Sequence, residues 1–479
     1  MKNKTLIIIS ILLSFILIIL FKDEHFALDS YTFANDINSN ASWYLINGRV
    51  FMFIFLKICL FLNLTDKSIK TISLIISIIT LFCSNIILNK MLSKHINNRV
   101  FNSIISTAFI YSPFIIELFI FSEFTGIMCL SILFSTISVK YLNMYFNNKK
   151  IYNLLLSFLF ATFCACSYQG TMGVFSSLAI LFSCINYKKI KCFIKEQLYI
   201  IGIYGIASLI SLTITKIMGL ERLEQNSFNI IKTIKGIIKG TAYLLINTSK
   251  IFPKYFFILI TLIIIVFIII DIIRKKNYKI MLIYLYLIFM IIAFSIAPQL
   301  LVDYHSIWIV PRSNICMAFL PIAIATLVIS NNSSINSYNK AILIVITIML
   351  VMQFIGWYSI RQDHYLTNNN DKQETIEILK YIDKHNENDD IKVRKIGMAE
   401  DASITYSYKN VSTSMGDINK RGYSINWVRS TIIDYYSNKK YQFIEPNEQF
   451  KSYCSSNNWD YLNEDLFKIE NDVLYICIY

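Results

Sequence analysis

The chain has 479 residues, of which 55% are hydrophobic and 16% charged, with a mean hydropathy of +0.52. A water-soluble protein of this length carries more charge on its surface, so these proportions exclude an ordinary soluble enzyme. The net charge of +14 would point a soluble chain toward nucleic acid. Here the basic residues sit in short loops between apolar runs, where they fix membrane orientation, and no nucleic-acid partner is expected.

Taken in order, the first apolar run covers residues 6–21 and follows Lys2 and Lys4. No small-residue cleavage site comes after it, so it reads as a retained membrane helix rather than a signal sequence. Next come Asp23, Glu24, His25 and Asp29, then a Ser/Asn-rich segment, then a very apolar stretch at 45–64 that carries Arg49 and Lys57. Further apolar runs predict helices near 69–89, 100–116, 125–142, 152–167, 170–187, 197–217, 253–272, 280–298, 313–330 and 341–359. With the first, that makes about eleven spans of an all-α polytopic membrane bundle.

Stretch 45–64 is apolar enough to span, but charge argues against it. If it crossed, the loops near 90–99, 140–150, 188–195 and 274–279 would lie outside with fourteen Lys and Arg residues. That contradicts the positive-inside tendency. A helix lying along the outer surface instead keeps those residues and the N-terminus cytoplasmic, and leaves Arg49 and Lys57 free to reach water or phosphate.

The tail from residue 361 is polar and Asn-rich. A helical pattern at 374–385 and strand-like runs at 391–398 and 473–478 predict a small exterior α/β domain at 361–479, beside a membrane domain at 1–360. Ten cysteines are scattered without metal-ligand spacing. Only Cys454 and Cys477 lie in the tail, where free thiols are favoured over a disulfide.

Five groups of residues could carry chemistry. Asp29, with Asp23, Glu24 and His25, places a carboxylate just past the first helix, where it could act as a base; a solvated acidic loop is the plainer alternative. Glu117 and Glu123 lie in the apolar YSPFIIELFIFSEFTG, where an acid needs a partner or a cavity, and Pro113 marks a break. Tyr168, Gln169 and Gly170 form a polar turn that could hydrogen-bond a sugar or could be just a tight turn. Lys232, Lys235 and Lys239 fall on one face of a helix able to meet lipid phosphate or to anchor at the surface. Asp303, His305, Pro311 and Arg312 open a later span, with Arg312 as a phosphate ligand or a snorkelling anchor.

The ordered motifs LDSY, WYLINGR, SPFIIELF, SYQG and PRSN, over residues 20–330, resemble the type II O-antigen glucosyltransferases. These are membrane glycosyltransferases of the GT-C architecture. The resemblance implies a GT-C-like bundle with a surface helix in its first outer loop. It also implies a bacterial cytoplasmic (inner) membrane location and a reaction on the outer face. The donor would be a polyprenyl-phosphate hexose, glucose on undecaprenyl phosphate, and the acceptor a hydroxyl of a surface polysaccharide such as O-antigen. The family carries two adjacent acids in its first loop. This chain has Asp29 followed by Ser30, so Asp29 and Glu117 both stand as candidate bases for an inverting attack. The phosphate leaving group needs cations rather than an acid, supplied by Arg49, Arg312 and Lys235. Tyr168 and Gln169 would orient a sugar. No cofactor is evident, and a divalent-metal requirement stays open. Two rival activities are a polysaccharide polymerase or ligase, and a lipid-linked sugar flippase or transporter. Few charges fall near mid-membrane, which weighs against transport.

Overall fold

The computed structural model describes residues 4–219, 230–276, 278–301, 307, 309–331, 337–388, 392–400, 421–437, 439–457 and 464–478. Its helices in chain order are α1 (Lys4–Phe21), α2 (Leu28–Asn35), α3 (Ile37–Ile46), α4 (Val50–Phe61), α5 (Asp66–Leu92), α6 (Arg99–Ile110), α7 (Ile116–Ile120), α8 (Thr125–Asn148) and α9 (Ile151–Ser167). They continue as α10 (Met172–Ile185), α11 (Ile190–Ile217), α12 (Ile230–Asn247), α13 (Phe256–Lys275), α14 (Tyr278–Ile296), α15 (Leu320–Ser330), α16 (Ser337–Asn388), α17 (Asn426–Ser437) and α18 (Glu448–Ser455). The chain divides into two compact units, Met1–Glu24 with Ala41–Ser359, and His25–Asn40 with Ile360–Tyr479. The sequence draws one boundary, at residue 360. Packing also draws residues 25–40 into the C-terminal unit.

Among the described residues, seven helical runs are long and apolar enough to cross a membrane: α1, α5, Arg99–Ile120 (α6 and α7), α8, α11, α14 and α16. The other expected spans fall on the shorter apolar helices α9, α10, α13 and α15. Stretch 45–64 is not one helix. It breaks at Asn47–Arg49, and α4 keeps only 12 residues, about 18 Å at the helical rise, against about 30 Å of hydrocarbon. Gly48 makes the break, with φ +72°, and a Cβ there would lie 2.6 Å from Thr215 Oγ1 of α11. Only glycine meets both demands.

Small residues bring the first unit's helices close. Ser73, Ser77, Thr80 and Ser84 line one buried face of α5. The Gly126 N–H of α8 donates to Ser73 Oγ at 2.8 Å, and a Cβ on Gly126 would meet the Ser73 carbonyl. The Ser138 hydroxyl of α8 donates to the Ser157 carbonyl of α9 at 2.7 Å. Such contacts substitute for the hydrophobic drive that is missing between helices in lipid.

In the second unit, β1 (Lys395–Glu400), β2 (Gln442–Ile444), β3 (Phe467–Glu470) and β4 (Val473–Ile478) form a sheet of order β2-β1-β4-β3. β1 is parallel to β2 and β4, with Gly397 opposite Ile444 and Tyr475, and β3 is antiparallel to β4. α2 packs into the same unit. Phe26 stacks on Tyr31 at 4.5 Å and meets Tyr435 edge-on at 5.0 Å. The Asn368 side chain pairs with both the N–H and the C=O of Phe26, at 2.7 and 3.0 Å. Asp36 caps α3, accepting from the Ser39 N–H and hydroxyl. Those bonds hold its carboxyl below the usual range.

The expected helix at 374–385 is the end of α16, which runs unbroken for 52 residues. Cys454 of α18 and Cys477 of β4 form a disulfide, so the expectation of free thiols is corrected. The bridge closes a loop with a sequence separation of 23, worth about 3 kcal/mol of chain entropy. Cys454→Ser is expected to lower the second unit's unfolding transition by that amount. Thermal denaturation with and without reductant checks it, and a reductant-insensitive wild type would contradict it.

Candidate functional site

Among the described residues, four interruptions in the helices of the first unit bring together the polar groups of the candidate site. Helical backbone hides its own N–H and C=O groups from lipid; interrupted backbone must find partners or face water. At the first, Asn47–Arg49, the chain turns at Gly48 and Arg49 caps α4. At the second, Pro113 cannot donate and ends α6, leaving a short 3-10 turn over Pro113–Ile115. The freed carbonyls are met from α16: Gln353 donates to the Tyr111 carbonyl and Trp357 Nε1 to that of Pro113, each at 2.8 Å. The third is Tyr168–Thr171 between α9 and α10. The fourth is a pair of 3-10 turns over Pro311–Ser313 and Ile315–Phe319, ahead of α15.

Side chains from these interruptions meet. Glu117, fully buried, accepts the Arg312 backbone N–H at 2.5 Å through Oε2 and forms an ion pair with the Arg312 guanidinium through Oε1. The same guanidinium lies 4.9 Å over the Phe121 ring. Arg49 stacks over the Tyr168 ring at 5.3 Å and the Tyr44 ring at 5.8 Å. Gln169 Nε2 donates to the Asn47 carbonyl at 2.8 Å and to Ser211 Oγ of α11 at 3.0 Å. Gly170 permits this: a Cβ there would stand 2.9 Å from the Arg312 carbonyl. Close approach, rather than turn geometry, is what asks for glycine at 170.

Electrostatics is the distinctive feature. Among the described residues the cluster sets two guanidiniums against one carboxylate. Arg312 has Glu117; Arg49 has no ion pair among the described residues, and its Nε is buried without a hydrogen-bond partner. Cation–π contact with two tyrosines holds Arg49 in place without neutralising it. An anion such as a phosphate would satisfy both the charge and the donor.

Of the residues singled out by sequence, Arg49, Glu117, Tyr168, Gln169 and Arg312 therefore come together. Lys235 does not join them. It is exposed on α12, without an ion pair or hydrogen bond to that group among the described residues. Asp29 belongs to the second unit, half-buried in the first turn of α2. Glu123 is fully buried and accepts the Ser122 hydroxyl at 3.2 Å. Asp303 and His305 lie outside the described residues. Sequence reasoning missed Asn47 and Ser211, although the Asn-Gly pair at 47–48 is a turn signal. It also missed Gln353 and Trp357, polar residues in the apolar run 341–359.

Fold and composition define a helical membrane protein with a small α/β unit. The chain matches no protein-family model, no curated protein and no solved structure. Among the described residues no group of three His, Cys, Asp or Glu is placed to hold a metal ion.

Proposed function

We propose that the protein is a membrane glycosyltransferase that moves a hexose from a polyprenyl-phosphate donor to a hydroxyl of a surface polysaccharide. One observation carries the reading: Arg49 is a positioned guanidinium with no anionic partner among the described residues, next to the Arg312–Glu117 pair. A phosphodiester-linked donor supplies that partner, and its phosphate is the leaving group. Arg49 and Arg312 then stabilise the charge that grows as the glycosidic bond breaks. Glu117 turns both oxygens to Arg312, so its role is to position that cation. Asp29, the other base the sequence offers, keeps that role as an expectation that substitution tests. Tyr168 and Gln169 line the donor side. The Cys454–Cys477 disulfide supports an oxidising, exterior compartment for the second unit. α4, too short to cross, supports a surface role for that segment.

A flippase or transporter for the same lipid-linked sugar is favoured by a different observation, the interrupted helices at 111–115 and 311–319. One experiment separates them. Protein in vesicles is supplied with undecaprenyl-phosphate-glucose and a candidate glycan, and both product and transbilayer movement are measured. Transfer supports the enzyme; movement of the lipid without transfer sinks it. A polymerase or ligase would pass on an oligosaccharide rather than a single hexose. Asp29→Asn is expected to reduce transfer at least about 100-fold with donor binding unchanged. Near-normal turnover in that variant would remove Asp29 from the mechanism.

A further inference from the structure

The second unit carries a cleft that plays no part in the proposed donor site. It has a volume of about 740 Å³ and opens at the carboxyl ends of β1 and β2. Parallel strands joined by helical crossovers leave a crevice at that end, where α/β sheets bind ligands. β1 delivers Glu400 to it, and the residues after β2 deliver Glu445 and Pro446. α17 adds Arg429 and α18 adds Glu448 and Lys451.

These charges come paired. Arg429 is buried, donates through Nε to the Tyr423 carbonyl at 2.7 Å, and forms an ion pair with Glu400. Lys451 bridges Glu445 at 2.7 Å and Glu448 at 3.0 Å. Among the described residues, three carboxylates face two cations, an excess of one negative charge. A phosphate or a nucleic acid would be repelled by the acids. A strongly cationic ligand would compete with Arg429 and Lys451 for them. A neutral polyol meets neither penalty, since each hydroxyl can donate to a carboxylate while accepting from the neighbouring cation. The serine hydroxyls of Ser430, Ser452 and Ser455 add donors and acceptors, and Phe443 and Pro446 offer apolar surface for the C–H faces of a sugar ring. Trp427, more than half exposed, sits one residue from Asn426 and one turn from Ser430, which both line the cleft. An exposed tryptophan there suits stacking on a sugar.

We propose that this cleft is a binding site for a neutral oligosaccharide. It lies wholly within the second unit, so the proposal stands or falls independently of the donor reading. The full-length protein in detergent micelles, without donor lipid, is titrated with maltohexaose, cellohexaose and hexa-N-acetylchitohexaose. Hexalysine serves as the cationic comparison, and saturation-transfer NMR gives affinities. At least one hexaose is expected to bind. Ser452→Trp, on the exposed face of α18, fills the cleft and is expected to weaken binding tenfold or more. Glu448→Gln keeps the shape, removes a charged acceptor and is expected to weaken it several-fold. A thermal unfolding transition like that of the parent in both variants confirms that the unit is folded. The proposal is overturned if none of the three hexaoses binds, if hexalysine alone binds, or if neither substitution alters the hexaose affinity.

Discussion

Replacing Arg49 by alanine is expected to lower hexose transfer from a polyprenyl-phosphate donor about 100- to 1,000-fold, the usual consequence of removing one preorganised donor to developing charge. Arg49 holds no ion pair among the described residues, so no buried carboxylate is orphaned by its loss. The structural cost is confined to stacking on Tyr44 and Tyr168, about 1 kcal/mol. Activity should therefore fall far more than stability, and the fall should appear in kcat, because the charge on the leaving phosphate grows toward the transition state. Arg49→Lys restores a point charge but neither the planar stack nor the fork of donors, and is expected to recover only part of the rate. The measurement is transfer of labelled hexose in vesicles, with unfolding followed in the same preparations. If Arg49→Ala loses stability and activity in proportion, Arg49 is a packing residue and the phosphate assignment fails.

How much of this was legible in the sequence depends on the range of the interaction. Apolar runs give helices, because a helix satisfies its own backbone in lipid and needs no distant partner. Pro113 marks an interruption for a local reason too, since it cannot donate; the demand for glycine at 170 comes from the Arg312 carbonyl far along the chain. Glu117 sits in so apolar a run that its need for a partner was readable too. The partner was not: Arg312 lies 195 residues away in sequence, and no periodicity links the two. Stretch 45–64 was misjudged as one helix because hydropathy outweighed the Asn-Gly signal at 47–48. At the tail the error runs the other way. Composition changes sharply after Tyr358, yet no proline or glycine lies between Gly356 and the end of α16, so the helix continues past the apolar stretch. β4, six buried residues, could be read directly; β2, with three residues and little alternation, takes its strand character from pairing with β1. By sequence, residues 25–40 read as a loop bearing acids. Their Phe26, Leu28 and Tyr31 belong instead to the core of the second unit, a fact fixed by partners such as Tyr435 and Asn368 far along the chain. The lysines of α12 illustrate the remaining limit: spacing places Lys235 on an exposed face but does not tell what lies beside it.

The Glu117–Arg312 pair allows stability and chemistry to be separated. Glu117→Gln keeps a side-chain acceptor for the Arg312 N–H but leaves the guanidinium without its counter-charge. Breaking one side of a buried pair costs about 3–5 kcal/mol, so a large drop in the unfolding midpoint is expected, with activity lost as well. Adding Arg312→Met removes the orphaned charge at similar length. The double variant gives up the contact with Phe121, about 1 kcal/mol, and is expected to regain most of the stability of the parent. Under the proposed function transfer should not return with it, because the second cation proposed to face the phosphate is gone. Thermal unfolding in detergent and hexose transfer in vesicles, measured on the same three proteins, decide the matter. A Glu117→Gln variant within about 1 kcal/mol of wild type would mean the pair is too solvated to be structural. A double variant that transfers hexose normally would remove Arg312 from the donor site and leave Arg49 to hold the phosphate alone.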